Sequence, residues 1–128
     1  MNPGRLCIAA TLGLSAVAMG AFGTHGLRGI IGPELLAVWR TAVDYQMFHA
    51  LALLALALAP ASSNGGPVSF ACRSFVLGIL LFSGSLYLLV LLGRSWLGAL
   101  TPLGGLCLMA GWGALGIYGW RAGRGLRR

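Results

Sequence analysis

Apolar residues run almost unbroken along this chain, and the breaks between the runs are few and short. The first uncharged run follows Arg5 and extends from Leu6 through Phe22. Along it, Ala9, Gly13, Ala16, Gly20 and Gly23 recur at spacings of four, three, four and three. On a helix these small residues form one stripe, which lets a neighbouring backbone approach closely. Gly20, Gly23, Gly26, Gly29 and Gly32 then recur every third residue and predict a helix end followed by a tight connection. A re-entrant backbone lining a polar cavity is the alternative for this tract.

Pro33-Glu34 reads as a helix start, with proline in the first turn and an acid beside it. Nothing breaks the pattern until Pro60 and the Ser62-Ser63-Asn64-Gly65-Gly66-Pro67 connection. The uncharged part of this helix, Tyr45 to Ala59, is only about 22 Å long, against about 30 Å of hydrocarbon. To cross, the helix must draw in residues back to about Arg40, which carries Asp44, Gln46 and His49 below the membrane surface. Polar side chains at that depth face other helices or a wet cavity. A third span runs from Ser74 to Leu92, with Ser83-Gly84-Ser85 at its middle for close packing. The fourth runs from Leu97 to Trp120, where Gly104, Cys107, Gly111 and Ala114 make a second small-residue stripe. The fold expected is therefore all-α: an integral membrane bundle of four transmembrane helices, with spans at about 6–24, 41–60, 74–92 and 97–120. It has a glycine-rich connection and an N-terminal extension of helix two.

Composition agrees. Of 128 residues, 58% are hydrophobic and 9% charged, where soluble domains carry about a quarter charged residues. An uncleaved first span is expected, although Ala16-Val17-Ala18 would also suit a signal-peptidase site. The net charge of +7 comes from arginines scattered over chain ends and connections, which suits anionic lipid and excludes a nucleic-acid groove. With four spans, Arg5, Arg73, Arg121, Arg124, Arg127 and Arg128 share one side, against Arg28, Arg40 and Arg94 on the other. That asymmetry places both termini in the cytoplasm of a bacterial inner membrane. Cys7, Cys72 and Cys107 are widely separated and make neither a zinc knuckle nor a redox pair.

The candidate chemistry is a polar cluster of His25, Arg40, Asp44, Tyr45, Gln46 and His49. Arg40 and Asp44 are four apart and can pair. His25 and His49 invite a metal or haem reading, but they fall at different depths, with His49 about 14 Å along its helix from Arg40. A hydrogen bond from His49 to a neighbouring helix, with Tyr45 beside it, is the more economical use. Glu34 and Asp44, the only carboxylates, lie about 15 Å apart on one helix, too far for paired acid–base work. No catalytic residue, metal site or cofactor is expected. The packing residues expected are Gly13, Gly20, Gly23, Gly104 and Gly111.

Two stretches, Gly20-Ala21-Phe22-Gly23-Thr24-His25-Gly26-Leu27 and the run from Trp39 through Asp44-Tyr45-Gln46 to His49 and Ala52, resemble the YgdD-like or YwdK-like family. These are small inner-membrane proteins grouped as domain of unknown function 423. Thr24 stands where that family more commonly has a small residue such as Ala. The resemblance implies four transmembrane helices and membrane residence, and it implies no reaction. The functional expectation is a structural or interaction subunit that assembles through glycine-rich helix faces, with itself or within a larger membrane complex. The alternative is a minimal transporter or channel with a polar path near His25, Asp44, Gln46 and His49. A membrane-embedded enzyme or cofactor carrier ranks third.

Overall fold

A computed structural model describes residues 1–60 and 65–125. Helix α1 spans Pro3–Ala21, opened by Pro3 in its first turn and by the Asn2 side chain, which accepts from the Arg5 backbone N–H at 3.1 Å. It runs on into a π-helical turn, Phe22–Leu27. The Leu27 carbonyl then accepts from the N–H groups of Ile30 and Ile31 at 3.0 and 3.2 Å. Between them Gly29 takes φ of 84°, a left-handed conformation that glycine adopts without strain. The glycine tract is thus a helix end and a tight connection, and no re-entrant hairpin forms there.

Helix α2 spans Pro33–Leu58, α3 spans Gly66–Leu92 and α4 spans Thr101–Gly125. Each has a proline near its start, where the missing N–H would be unpaired in any case. The Ser62-Ser63-Asn64 stop and the last two arginines lie outside the described residues. The helices do not begin where the uncharged runs begin. Helix α3 begins at Gly66, so Arg73 is a helical residue and not part of a connection. Absence of charge marks where hydrocarbon can begin, whereas Pro67 marks where the helix begins. Residues Ser95–Ala99 form a 3-10 turn, and α4 starts only at Thr101. Pro102 offers no N–H to the Gly98 carbonyl, which disfavours a continuous α-helix through this point.

All four helices are long and apolar enough to cross a membrane, and the architecture is an all-α four-helix membrane bundle. Helices α2 and α3 form its centre, with α1 packed mainly on α2 and α4 mainly on α3. Leu53, Val68, Phe75, Ile79 and Leu108 make one core cluster, and Leu27, Trp39, Ala42, Tyr87 and Val90 make a second. The α3–α4 seam is the tightest. A Cβ at Gly104 would collide with the Phe82 backbone and lie 2.8 Å from the Leu81 carbonyl carbon; one at Gly111 would lie 2.6 Å from the Phe75 ring. Gly78 makes a comparable contact, at 2.7 Å from Leu108 Cγ, although its sequence context did not single it out.

On α1 the expected stripe is only partly used. Ala9, Ala16 and Gly23 are buried, and a Cβ at Gly23 would lie 2.7 Å from Trp39 Nε1. At Gly20 it would meet Val43 at an ordinary 3.5 Å, and at Gly13 nothing within 4 Å. Gly13 is therefore not a packing glycine. Near this level Gln46 bridges α1 and α2 by reaching the Leu12 carbonyl and Ser15.

Candidate functional site

Gln46 is 5% exposed and joins three helices. Its Nε2 donates to the Leu12 carbonyl at 3.0 Å and to Ser15 Oγ at 2.8 Å, both on α1. Its Oε1 accepts from the Tyr87 hydroxyl of α3 at 2.9 Å. Tyr87 in turn lies against Trp39, with ring centroids 4.6 Å apart. Trp39 is almost fully buried and donates its indole N–H to the Met19 carbonyl at 2.8 Å. Gln46, Tyr87 and Trp39 thus have their polar atoms partnered, as an apolar surrounding favours.

His49, one turn below Tyr45, is buried too. Its Nδ1 lies 2.7 Å from the Tyr45 carbonyl oxygen, and the Trp112 indole N–H donates to its Nε2 at 3.1 Å. A carbonyl only accepts and an indole N–H only donates. Together they fix a neutral imidazole protonated on Nδ1. Both ring nitrogens are occupied, so the histidine has no lone pair to give to a metal without breaking a helix–helix hydrogen bond. Phe75 packs on the same ring at 5.3 Å between centroids. The expected contact of His49 with a neighbouring helix is present, and α4 provides it.

Tyr45 joins this centre through its carbonyl and by stacking on the His49 ring at 6.1 Å between centroids, while its exposed side chain also stacks on Phe82 at 4.3 Å. The remaining candidates do not join it. His25 is exposed on the π-helical turn. Arg40 and Asp44 are exposed and border a recess of about 200 Å³ with Gly20, Thr24 and Trp39. Among the described residues no ion pair joins Arg40 to Asp44, contrary to their helical spacing. An exposed pair gains little, and an acid placed C-terminal to its base is the weaker order on a helix. Among the described residues no three His, Cys, Asp or Glu side chains come together in a group fit to hold a metal. No local pattern marks Tyr87, Trp112 or Ser15 as partners, since they lie 41, 63 and 31 residues from the side chains they bond.

Comparison with known proteins gives the same architecture a family. The family described as "Protein of unknown function (DUF423)" matches residues 19–105, which include the whole π-helical turn and all of α2 and α3. The chain is 50% identical over 100 residues to "UPF0382 membrane protein YwdK" of Bacillus subtilis, covering 77% of this chain and 81% of that one. It is 41% identical over 117 residues to "UPF0382 membrane protein C1782.12c" of Schizosaccharomyces pombe, covering 84% and 94%. A "UPF0382 membrane protein" of Haemophilus influenzae is 40% identical over 114 residues, covering 89% and 90%. No solved structure matches. By the extent of these matches, the chain belongs to the DUF423 family of membrane proteins.

Proposed function

We propose that this protein is a non-catalytic helical subunit of the bacterial inner membrane, which assembles with copies of itself or within a larger membrane complex. One observation carries the reading: the buried side chains Gln46 and His49 have their polar atoms engaged by other helices and by backbone. Groups that line a conduction path need partners they can exchange for solute or water. These hold α1, α2, α3 and α4 in register instead. The glycines of the α3–α4 seam, Gly104 and Gly111, are consumed inside the subunit. Assembly therefore falls to the outer side of α4, where Gly113, Gly116 and Gly119 are exposed and an added Cβ meets nothing within 4 Å.

Cross-linking in native membranes tests this. A cysteine at Gly116, in a background lacking Cys7, Cys72 and Cys107, is expected to give a discrete cross-linked species. A cysteine at Leu14, exposed on α1, serves as the comparison. Absence of any cross-linked species from either site would overturn the proposal.

The transporter reading has one observation in its favour, the outward recess bordered by Arg40, Asp44 and Thr24. Neither Gln46 nor His49 lines that recess, and Trp39 forms part of its wall. Proton or solute flux in liposomes that is lost in His49→Ala and kept in Thr24→Ala would replace the subunit reading with this one.

A further inference from the structure

We propose that the groove between α1 and α3 is a binding site for an anionic glycerophospholipid, whose phosphate is held by Arg5, Ser69 and Arg73. These three residues line one cavity of about 460 Å³, within the range of small-molecule sites. Arg5 Nη2 donates to Ser69 Oγ at 2.8 Å, which fixes the α1 guanidinium on the face of α3. Arg73 lies one turn further along that face. Side chains on a helix lean toward its N-terminus, so Arg73 leans back toward Ser69. The rest of the cavity is mostly apolar, formed by Ile8, Leu53, Cys72, Val76, Leu77 and Leu80. The site therefore has the polarity of a lipid: a cationic head and a hydrocarbon slot.

Charge complementarity identifies the headgroup. The chain has only two carboxylates, Glu34 and Asp44, and neither lines this cavity. The first residues of α1 meet the far end of α2, where the Asn2 N–H donates to the Ala57 carbonyl at 2.8 Å. Asp44 is about 20 Å back along α2 from Ala57. Arg73 has no hydrogen bond or ion pair to any described residue. A phosphate would supply a counter-charge to Arg73, and arginine binds it through paired N–H donors. A zwitterionic headgroup would bring an ammonium for which the described lining residues hold no acid.

Depth agrees. The uncharged stretch of α3 from Ser74 to Leu92 is about 28 Å long, close to the hydrocarbon thickness. Arg73 then stands at the headgroup level, with Val76, Leu77 and Leu80 at acyl depth. Basic pockets between transmembrane helices are a known way to hold acidic lipid.

Native mass spectrometry of the full chain in detergent, equilibrated with phosphatidylglycerol and phosphatidylcholine of the same acyl length, tests the assignment. Phosphatidylglycerol is expected to be retained preferentially. Arg73→Gln should weaken its retention about fivefold, Arg73→Lys should lose less, and Arg94→Gln, at the other end of α3, should lose none. Leu80→Trp is an independent probe at an exposed position, 61% accessible. It narrows the slot without touching a charge and should also lower retention. Equal retention of the two lipids, or phosphatidylglycerol retention unchanged in both Arg73→Gln and Leu80→Trp, would overturn the site.

Discussion

Replacing Gln46 by leucine would take the acceptor from the Tyr87 hydroxyl and the donor from Leu12 and Ser15 in one step. Hydrogen bonds between membrane helices average about 0.6 kcal/mol each, so loss of the three should cost about 2 kcal/mol in detergent unfolding. Part of that cost is the stranded Tyr87 hydroxyl, and Gln46→Leu with Tyr87→Phe should lose less than the sum of the single changes. Strict additivity would mean that Tyr87 finds another partner. Ser83 has the opposite sign. Its hydroxyl is buried and, among the described residues, has no hydrogen-bond partner. Ser83→Ala should be neutral or stabilising by up to about 1 kcal/mol. His49 has a spectroscopic signature: its ¹⁵N shifts should report the Nδ1–H tautomer, and Trp112→Phe should release it into a mixture. That Gln46 and His49 face inward was legible from the shortness of the apolar run before Pro60. Their partners were not, because Tyr87 and Trp112 are brought close only by the register of helices far away in sequence.

At the scale of the helix, two glycines of similar appearance should behave oppositely. Gly104→Ala would press a methyl into the Phe82 backbone, which cannot rotate away as a side chain can. A loss of about 1–3 kcal/mol is expected, with α3 and α4 forced apart. Gly13→Ala meets open space and should be neutral or gain up to about 1 kcal/mol from helix propensity. Thermal melting of the two variants in one detergent checks both; a loss at Gly13 as large as that at Gly104 would mean that α1 packs differently. Both residues lie on small-residue stripes, and periodicity alone does not distinguish them. What separates them is what stands opposite: a backbone at Gly104, open space at Gly13. The number of helices and the tight connection after α1 could be read from the chain, because long apolar runs and glycines at a turn act locally. The break before α4 needed only Pro102 and was nevertheless masked by the apolar residues around it.

For the whole molecule, orientation rests on arginine placement. Six arginines on the side of the termini against three on the other predict that a reporter fused after Arg128 works only if it requires the cytoplasm. Activity of a periplasm-dependent reporter there would reverse the orientation. The order of packing, α1 on α2, α2 on α3 and α3 on α4, has a further consequence, for biosynthesis. Every helix after the first packs on the one made just before it. The first hairpin can be latched as soon as α2 enters the bilayer, by the bonds from Gln46 to Leu12 and Ser15 and from Trp39 to Met19. Tyr87 of α3 then adds to an amide already oriented by α1. Trp112 of α4 arrives last, to close on His49. Assembly can thus follow the direction of synthesis, with the His49 contact and the α3–α4 seam completed by the last helix.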